Sequence, residues 1–123
     1  MNPRKQSKST NPNLTNLIFL LRKKSRESEV SIWQDTAERL SKPRRTRISV
    51  NVSRIGRYTK EGDDVLVPGK VLGAGLIRHP VRVAALSFSD QARSKILGAK
   101  GKCLTIPELM ELNPKGAHVK IIR

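Results

Sequence analysis

Aromatic and acidic residues are both scarce in this chain of 123 residues. Only Phe19, Trp33, Tyr58 and Phe88 are aromatic, 3% of the total. Modules that bind single-stranded RNA stack bases on aromatic platforms, and four scattered rings argue against such a platform. Ten acidic residues stand against 25 lysines and arginines, which gives a net charge of +15. We therefore expect a polyanionic partner, and nucleic acid is the usual one.

Cysteine and long apolar runs are scarce as well. Cys103 is the single cysteine, which excludes an internal disulfide and a multi-cysteine zinc site and fits a reducing cytosol. The apolar segment 14–21 contains Thr15 and Asn16 and is much shorter than the roughly 20 residues of a membrane span. Basic residues follow it, where a signal peptide would have a cleavage site of small residues. We expect a cytoplasmic protein with no signal peptide or transmembrane segment.

The residues that usually perform catalysis form no recognisable group. His79 precedes a proline and His118 stands alone, so we interpret both as loop residues rather than general bases. Asp63 and Asp64 are adjacent carboxylates in a turn, with no histidine or third acid nearby to complete a metal site. The sequence predicts a protein that is not an enzyme and that binds no metal, cofactor or small-molecule substrate.

The glycine-rich passage from Gly69 to Gly75 invites comparison with nucleotide-binding loops, but it fits neither common pattern. Lys70 precedes the later glycines, unlike the lysine of a P-loop, and Arg78 occupies the place of the third glycine in a dinucleotide-binding motif. Two interpretations stay open. The passage is a tight turn between strands, or Gly73 and Gly75 let the backbone of a nucleic acid approach closely.

The apolar spacing predicts a mixed α/β fold made of short alternating strands and helices. We predict helices over about 14–26, 31–40, 53–58, 89–98 and 105–112, and strands over 48–52, 65–67, 81–88, 103–104 and 119–122, with a turn-rich passage between the second and third strands. Residues 1–12 form a basic flexible arm in this interpretation. Residues 13–123 form a single RNA-binding α/β domain, whose N-terminal part, about 13–41, is helical.

Helix caps and one strand end follow from local sequence signals. Ser31 with Gln34 and Thr105 with Glu108 have the spacing of capping boxes. Asn13, Ser53 and Ser89 are expected to cap the other helices. The dipeptide Pro68-Gly69 is expected to end the short strand 65–67, and a turn-rich passage is expected to follow it to Gly75.

The strongest charge lies between Arg39 and Arg57, where the nineteen residues include six arginines, one lysine and no acid. Such a run can be a merely solvated surface or a nuclear-import-like patch. We favour phosphate contact, because arginine forks bind phosphate with two hydrogen bonds and because Arg54 and Arg57 lie on about one helical face. The predicted nucleic-acid contacts are Lys42, Arg44, Arg45, Arg47, Arg54 and Arg57, together with Arg4, Lys5 and Lys8 of the arm.

Charge alone does not distinguish RNA from DNA. The sequence has no zinc-finger spacing and no leucine-zipper heptads, although the two N-terminal helices could mimic a helix-turn-helix. Binding of folded RNA by charge and shape suits a basic chain with few aromatic residues. A small basic DNA-binding protein of the chromatin or repressor type is the alternative.

Several short stretches add a family resemblance through their order and spacing. They are Thr10-Asn11-Pro12, Ile32-Trp33, Ala37-Glu38-Arg39-Leu40, Lys42-Pro43-Arg44-Arg45, Val50-Asn51-Val52-Ser53-Arg54-Ile55, Val67-Pro68-Gly69-Lys70-Val71-Leu72-Gly73 and Asn113-Pro114-Lys115-Gly116. Together they resemble the archaeal and eukaryotic large-subunit ribosomal protein family called eighteen-e, which is related to bacterial large-subunit ribosomal protein fifteen. The resemblance covers nearly the whole chain. The short length of the chain is more similar to that of archaeal members than to that of the longer eukaryotic ones.

This resemblance implies a structural protein of the large ribosomal subunit with a mixed α/β body and no catalytic role. Its implied partners are large-subunit ribosomal RNA and neighbouring ribosomal proteins, which would make it a ribonucleoprotein component in translation. At the matching motifs, the resemblance implies RNA-contact roles for Pro43, Arg44, Arg45, Asn51, Arg54, Lys70, Gly73, Lys115 and Gly116.

Overall fold

A computed structural model describes residues 12–42 and 48–123. The chain divides into two compact units at Arg47 and Ile48. We call the described residues 12–42 the helical unit and residues 48–123 the sheet unit. The predicted single domain over 13–123 and the arm over 1–12 stay predictions. None of the helices within these described ranges is long and apolar enough to cross a membrane.

The helical unit is a pair of packed helices, α1 (Pro12–Ser28) and α2 (Ile32–Leu40). Leu21 of α1 and Trp33, Ala37 and Leu40 of α2 are fully buried, as the helical spacing of apolar residues requires. The hydroxyl of Ser25 donates a 2.6 Å hydrogen bond to the carbonyl of Val30 across the turn. Both predicted helices are confirmed, but α1 begins at Pro12 and not after Asn13.

The predicted capping box at the start of α2 is wrong. The Ser31 side chain makes no capping hydrogen bond, and the Gln34 amide instead donates to the Glu38 carboxylate at 3.3 Å. Ser31 has helical backbone angles, φ −86° and ψ −14°. A capping side chain reaches back to the first helical N–H groups from an extended backbone, so this conformation prevents the contact.

The sheet unit alternates strands and helices, and each neighbouring pair of strands is parallel. Its elements are β1 (Ile48–Asn51), α3 (Val52–Arg57), β2 (Asp64–Leu72), β3 (Arg82–Phe88), α4 (Asp90–Gly98), β4 (Lys102–Thr105), α5 (Ile106–Leu112) and β5 (Val119–Ile121). The strand order is β1-β2-β3-β4, and β5 pairs with the first half of β2 while β1 pairs with its second half. Parallel neighbours need crossover connections, which α3, α4 and α5 help to supply. The predicted mixed α/β fold is confirmed.

Strand β2 continues through Pro68-Gly69 to Leu72, so the prediction that the strand ends at this dipeptide is wrong. Its pairing with β3 shifts register between Val67 and Lys70. Proline is tolerated inside a sheet at such an irregularity because it has no N–H to donate. At Gly69, an added Cβ would collide with the carbonyl oxygen of Ile48. The lack of a side chain at Gly69 therefore lets β1 pair closely with β2, and β2 continues beyond the dipeptide.

Apolar residues are buried on both sides of the sheet. On one side, Val52 and Ile55 of α3 and Ala92 and Ile96 of α4 belong to a core cluster that also includes Val65 of β2. On the other side, α5 contacts β3 and β4 and buries Ile106, Leu109 and Met110, which lie outside that cluster. We call these the α3–α4 side and the α5 side.

The caps in the sheet unit largely follow the sequence. The Ser89 hydroxyl accepts a hydrogen bond from the N–H of Ala92, and Thr105 and Glu108 form the predicted capping box. Both confirm the prediction. Ser53 does not cap α3, because that helix begins at Val52 and Asn51 is the cap residue.

Candidate nucleic-acid interface

Six predicted contact residues lie outside the described residues, and their roles stay predictions. They are Arg4, Lys5, Lys8, Arg44, Arg45 and Arg47, and Pro43 lies outside with them. Lys42, at the end of the helical unit, is exposed. The remaining predicted contacts lie in the sheet unit.

Asn51, Gly73 and Gly75 meet at the carboxyl ends of β1 and β2. The Asn51 side-chain oxygen accepts a 3.2 Å hydrogen bond from the N–H of Ala74. The Ala74 carbonyl accepts a 3.3 Å hydrogen bond from the N–H of Ser53, in the first turn of α3. Asn51 thus joins the glycine loop, residues 73–75, to the start of α3. In open parallel sheets, ligands usually bind at the carboxyl ends of the strands.

Lys95 of α4 holds the same loop from its other side. Its Nζ donates to the carbonyl oxygen of Gly73 at 2.7 Å and to that of Gly75 at 2.6 Å. Hydrogen bonds from a charged donor are stronger than neutral ones, so the ammonium group stabilises the loop conformation. Sequence reasoning missed Lys95, because nothing in its local pattern indicates a partner twenty residues earlier.

Internal packing requires glycine at both ends of this loop. An added Cβ at Gly73 would lie 2.7 Å from the Gln91 side chain, and Gly75 has φ +83° with the Ser53 side chain where its Cβ would be. A side chain at either position would displace α4 or α3 from the loop. This favours the tight-turn interpretation for the glycines, and their predicted contact with nucleic acid stays a prediction.

Helix α3 presents its two arginines outward. Arg54 and Arg57 are exposed, whereas Val52 and Ile55 of the same helix are buried. The Arg54 Nε donates to the main-chain oxygen of Arg123 at 3.2 Å, and its guanidinium lies 5.2 Å from the centre of the Tyr58 ring. Arg54 is therefore held in place. Within the described residues, no carboxylate forms an ion pair with Arg57.

Lys115 and Gly116 lie at the opposite end of the strands from the glycine loop, whereas Lys70 lies near the end of β2 that leads into the loop. Lys70 is exposed within β2. Lys115 is exposed, and Gly116, with φ +65°, lies in the turn between α5 and β5. Because β5 begins opposite Asp64, the first residue of β2, this turn lies at the amino ends of the strands. The residues implied by the family resemblance are thus spread over both ends of the sheet.

Asp63 and Asp64 pair with basic residues. Arg82 Nε and Nη2 donate to the two carboxylate oxygens of Asp64 at 2.6 and 2.9 Å. The Asp63 carboxylate accepts from the N–H of Lys60 at 2.7 Å and lies 3.0 Å from Lys120 Nζ. These contacts, first the Lys60 N–H and then Lys120, hold the pKa of Asp63 below its usual value. The Asp64 side chain is largely buried beside Arg82, with 10% of its surface accessible.

His79 has a structural contact. The Thr59 hydroxyl donates to the carbonyl of Ile55 at 2.7 Å and lies 2.7 Å from His79 Nε2. A hydroxyl has one proton to donate, so His79 Nε2 must carry a proton and donate to Thr59. This contact joins the end of α3 to the connection between β2 and β3, as expected for a loop histidine.

Comparison with known proteins identifies the family. Residues 1–123 match the protein family described as "Ribosomal protein 60S L18 and 50S L18e". The chain belongs to this family. The match confirms the resemblance inferred from the sequence motifs.

Three archaeal relatives, each named "Large ribosomal subunit protein eL18", are similar over almost their whole length. The Methanoregula boonei protein is 54% identical over 93% of this chain and 94% of its own. The Methanospirillum hungatei protein is 54% identical over 97% and 98% of the two chains. The Archaeoglobus fulgidus protein is 51% identical over 94% and 98%. Family membership therefore extends across both compact units.

Proposed function

We propose that this chain is a structural constituent of the large ribosomal subunit in the cytoplasm, where it binds large-subunit ribosomal RNA and has no catalytic role. The observation that carries this proposal is the identity of 51–54%, over more than nine-tenths of both chains, to proteins named for the large ribosomal subunit. The net charge of +15 supports RNA as the partner, because lysines and arginines that neutralise phosphates release bound counterions.

In the sheet unit, the α3–α4 side is the surface that suits RNA best. Arg54, Arg57 and Arg93 are exposed there, and Asp90 is the one acid on the two helices. The glycine loop, held by Asn51 and Lys95, lies at the end of the sheet where α3 and α4 begin. We propose that the exposed arginines contact phosphates and that the loop shapes the surface between them.

We also propose RNA contacts for residues beyond the α3–α4 side, including some outside the described ranges. The arm over 1–12 and the cluster of Arg44, Arg45 and Arg47 contribute further phosphate contacts, and the region 13–123 acts as one RNA-binding domain. Lys70 and Lys115 contribute from elsewhere on the sheet unit. Neighbouring ribosomal proteins are the other proposed partners.

Retention on purified large ribosomal subunits as salt is raised tests the proposal. Duplex DNA at equal phosphate concentration serves as competitor. We expect the chain to stay on the subunits at salt concentrations where the DNA cannot displace it, because a site of matched shape adds contacts beyond charge. Early release into the DNA pool would instead support the chromatin-type or repressor-type alternative.

A further inference from the structure

A concave surface of about 430 Å³ lies between α3 and β5, beside the arginines of α3. Arg54, Lys120 and Arg123 bring positive charge to it, and Tyr58, Ile121 and Ile122 supply apolar surface. The proposed interface does not account for this mixture of an aromatic ring, an apolar wall and three basic residues. The volume is within the range of small-ligand sites.

Tyr58 is the most exposed aromatic side chain of the sheet unit, with 53% of its surface accessible. The Arg54 guanidinium lies over the ring at 5.2 Å and is oriented by its 3.2 Å hydrogen bond to Arg123. A ring and a guanidinium plane are the two surfaces on which proteins stack unpaired RNA bases. Here they lie together at the end of a helix whose backbone is fixed by burial of Ile55.

Lys120 is held at the same site by two contacts. Its Nζ donates to the main-chain oxygen of Tyr58 at 3.3 Å and lies 3.0 Å from Asp63 Oδ2. The ammonium group therefore joins β5 to the end of α3 at this concave surface. Its partner Asp63 also accepts a hydrogen bond from the N–H of Lys60.

We propose that this surface binds one unpaired nucleotide of RNA, with its base stacked on Tyr58 and its phosphates near Arg54 and Arg123. The proposal rests on the proposed function for the choice of RNA over other nucleotide sources. A paired base is stacked within its own helix and cannot lie on the ring, so the site distinguishes bulged or looped RNA from duplex. Ile121 provides the apolar wall for the base edge.

The ring of Tyr58 can be observed directly, because Tyr58 is the only tyrosine in the chain. Protein labelled with ¹³C at tyrosine gives ring resonances that belong to this residue alone. We expect a single-stranded adenine hexanucleotide to shift them upfield, through the ring current of a stacked base. A fully paired, blunt-ended RNA duplex at equal phosphate concentration should leave them in place, and free adenosine monophosphate tests whether one nucleotide suffices without flanking nucleotides.

Substitutions of Tyr58 test how much stacking on its ring contributes to the affinity for the hexanucleotide. Tyr58→Leu should weaken binding of the hexanucleotide by about tenfold, in the range measured for loss of one stacking contact, with no change in the salt dependence. Tyr58→Phe keeps the ring and should bind within about twofold of the unaltered protein. Phe19→Leu is the matched control, since Phe19 is an exposed ring, 63% accessible, in the helical unit, and it should have no effect.

The outcomes separate this proposal from the proposed function. Unshifted tyrosine resonances, or equal binding by Tyr58→Leu, would overturn the nucleotide site even if the chain stayed on large subunits through high salt. A chain that failed to bind large subunits but stacked the hexanucleotide would overturn the ribosomal role and leave the site. If Tyr58→Leu does not fold, as judged by circular dichroism, the ring shifts of the unaltered protein alone decide.

Discussion

The α3–α4 side of the sheet exposes Arg54, Arg57 and Arg93, whereas the only charged residues of α5 are Glu108 and Glu111. Both sides bury aliphatic residues against the same strands. Both also begin a helix with a side-chain cap, Ser89 on one and Thr105 on the other. The two sides therefore share the means of folding and differ in charge.

This difference separates stability from binding. Apolar burial needs no partner and stabilises the sheet unit on either side. Exposed arginines that pair with no carboxylate among residues 12–42 and 48–123 contribute little to folding, but they attract phosphate, which the glutamates of α5 repel. We infer that the main RNA contacts of the sheet unit lie on α3 and α4 rather than on α5.

The largest expected effect tests the shared packing. Ile55→Ala on the α3–α4 side and Leu109→Ala on the α5 side each remove a fully buried side chain and should lower the free energy of unfolding by about 3 kcal/mol. Urea denaturation measures both. A loss below about 1 kcal/mol at either position would contradict equal packing on the two sides.

The difference in charge is tested by neutralising each side in turn. Arg54→Ala with Arg57→Ala should weaken binding of ribosomal RNA at least about tenfold at 0.1 M salt and flatten the salt slope by one to two units, roughly one per lost phosphate contact. Glu108→Gln with Glu111→Gln is the matched control. It should leave the slope unchanged, and a control that altered the slope as much would contradict the assignment of sides.

The caps give a smaller effect that should be equal on both sides. Ser89→Ala and Thr105→Ala should each cost about 1 kcal/mol, the usual loss for removing a capping side chain. Ser31→Ala tests the contrast, because its side chain makes no cap, and it should change stability by less than about 0.5 kcal/mol. Thermal unfolding followed by circular dichroism distinguishes these values, and an equal loss at Ser31 would contradict the capping geometry.

The smallest expected effect concerns the pH dependence of stability. Asp63 has a folded pKa below its ordinary value of 3.8, so its contribution is fully present above about pH 4 and is lost as the pH falls through the folded pKa. The difference in urea midpoint between the unaltered protein and Asp63→Asn should be constant from about pH 5 to 7 and shrink below pH 4. A difference that grew on acidification would contradict the assigned contacts.

Local sequence signals predicted a helix cap correctly where the backbone of the cap residue let its side chain reach the first N–H groups of the helix. Ser31 and Thr105 both begin the same four-residue capping pattern, yet only Thr105 caps its helix. Thr105 is extended, with ψ 160°, and Ser31 is helical, with ψ −14°. The pattern specifies which side chains can cap, and the path of the preceding chain decides whether they reach.

The features that the sequence did not predict depend on contacts between residues that lie far apart in the chain. Pro68-Gly69 has the signature of a turn, but β2 continues because β1 and β3 pair with it on both sides. Local spacing does place Tyr58 four residues after Arg54, one helical turn away. Lys120 and Arg123 join them only through the pairing of β5 with β2, which no local pattern indicates.

Hydrogen exchange of the chain, free and bound to purified large-subunit ribosomal RNA, tests most directly which side meets the RNA. The amides of Val52–Arg57 and of the glycine loop should become more protected on binding, while those of Ile106–Leu112 should exchange at the same rate in both states. Protection confined to Ile106–Leu112, or none on either side, would contradict the assignment of the α3–α4 side to RNA.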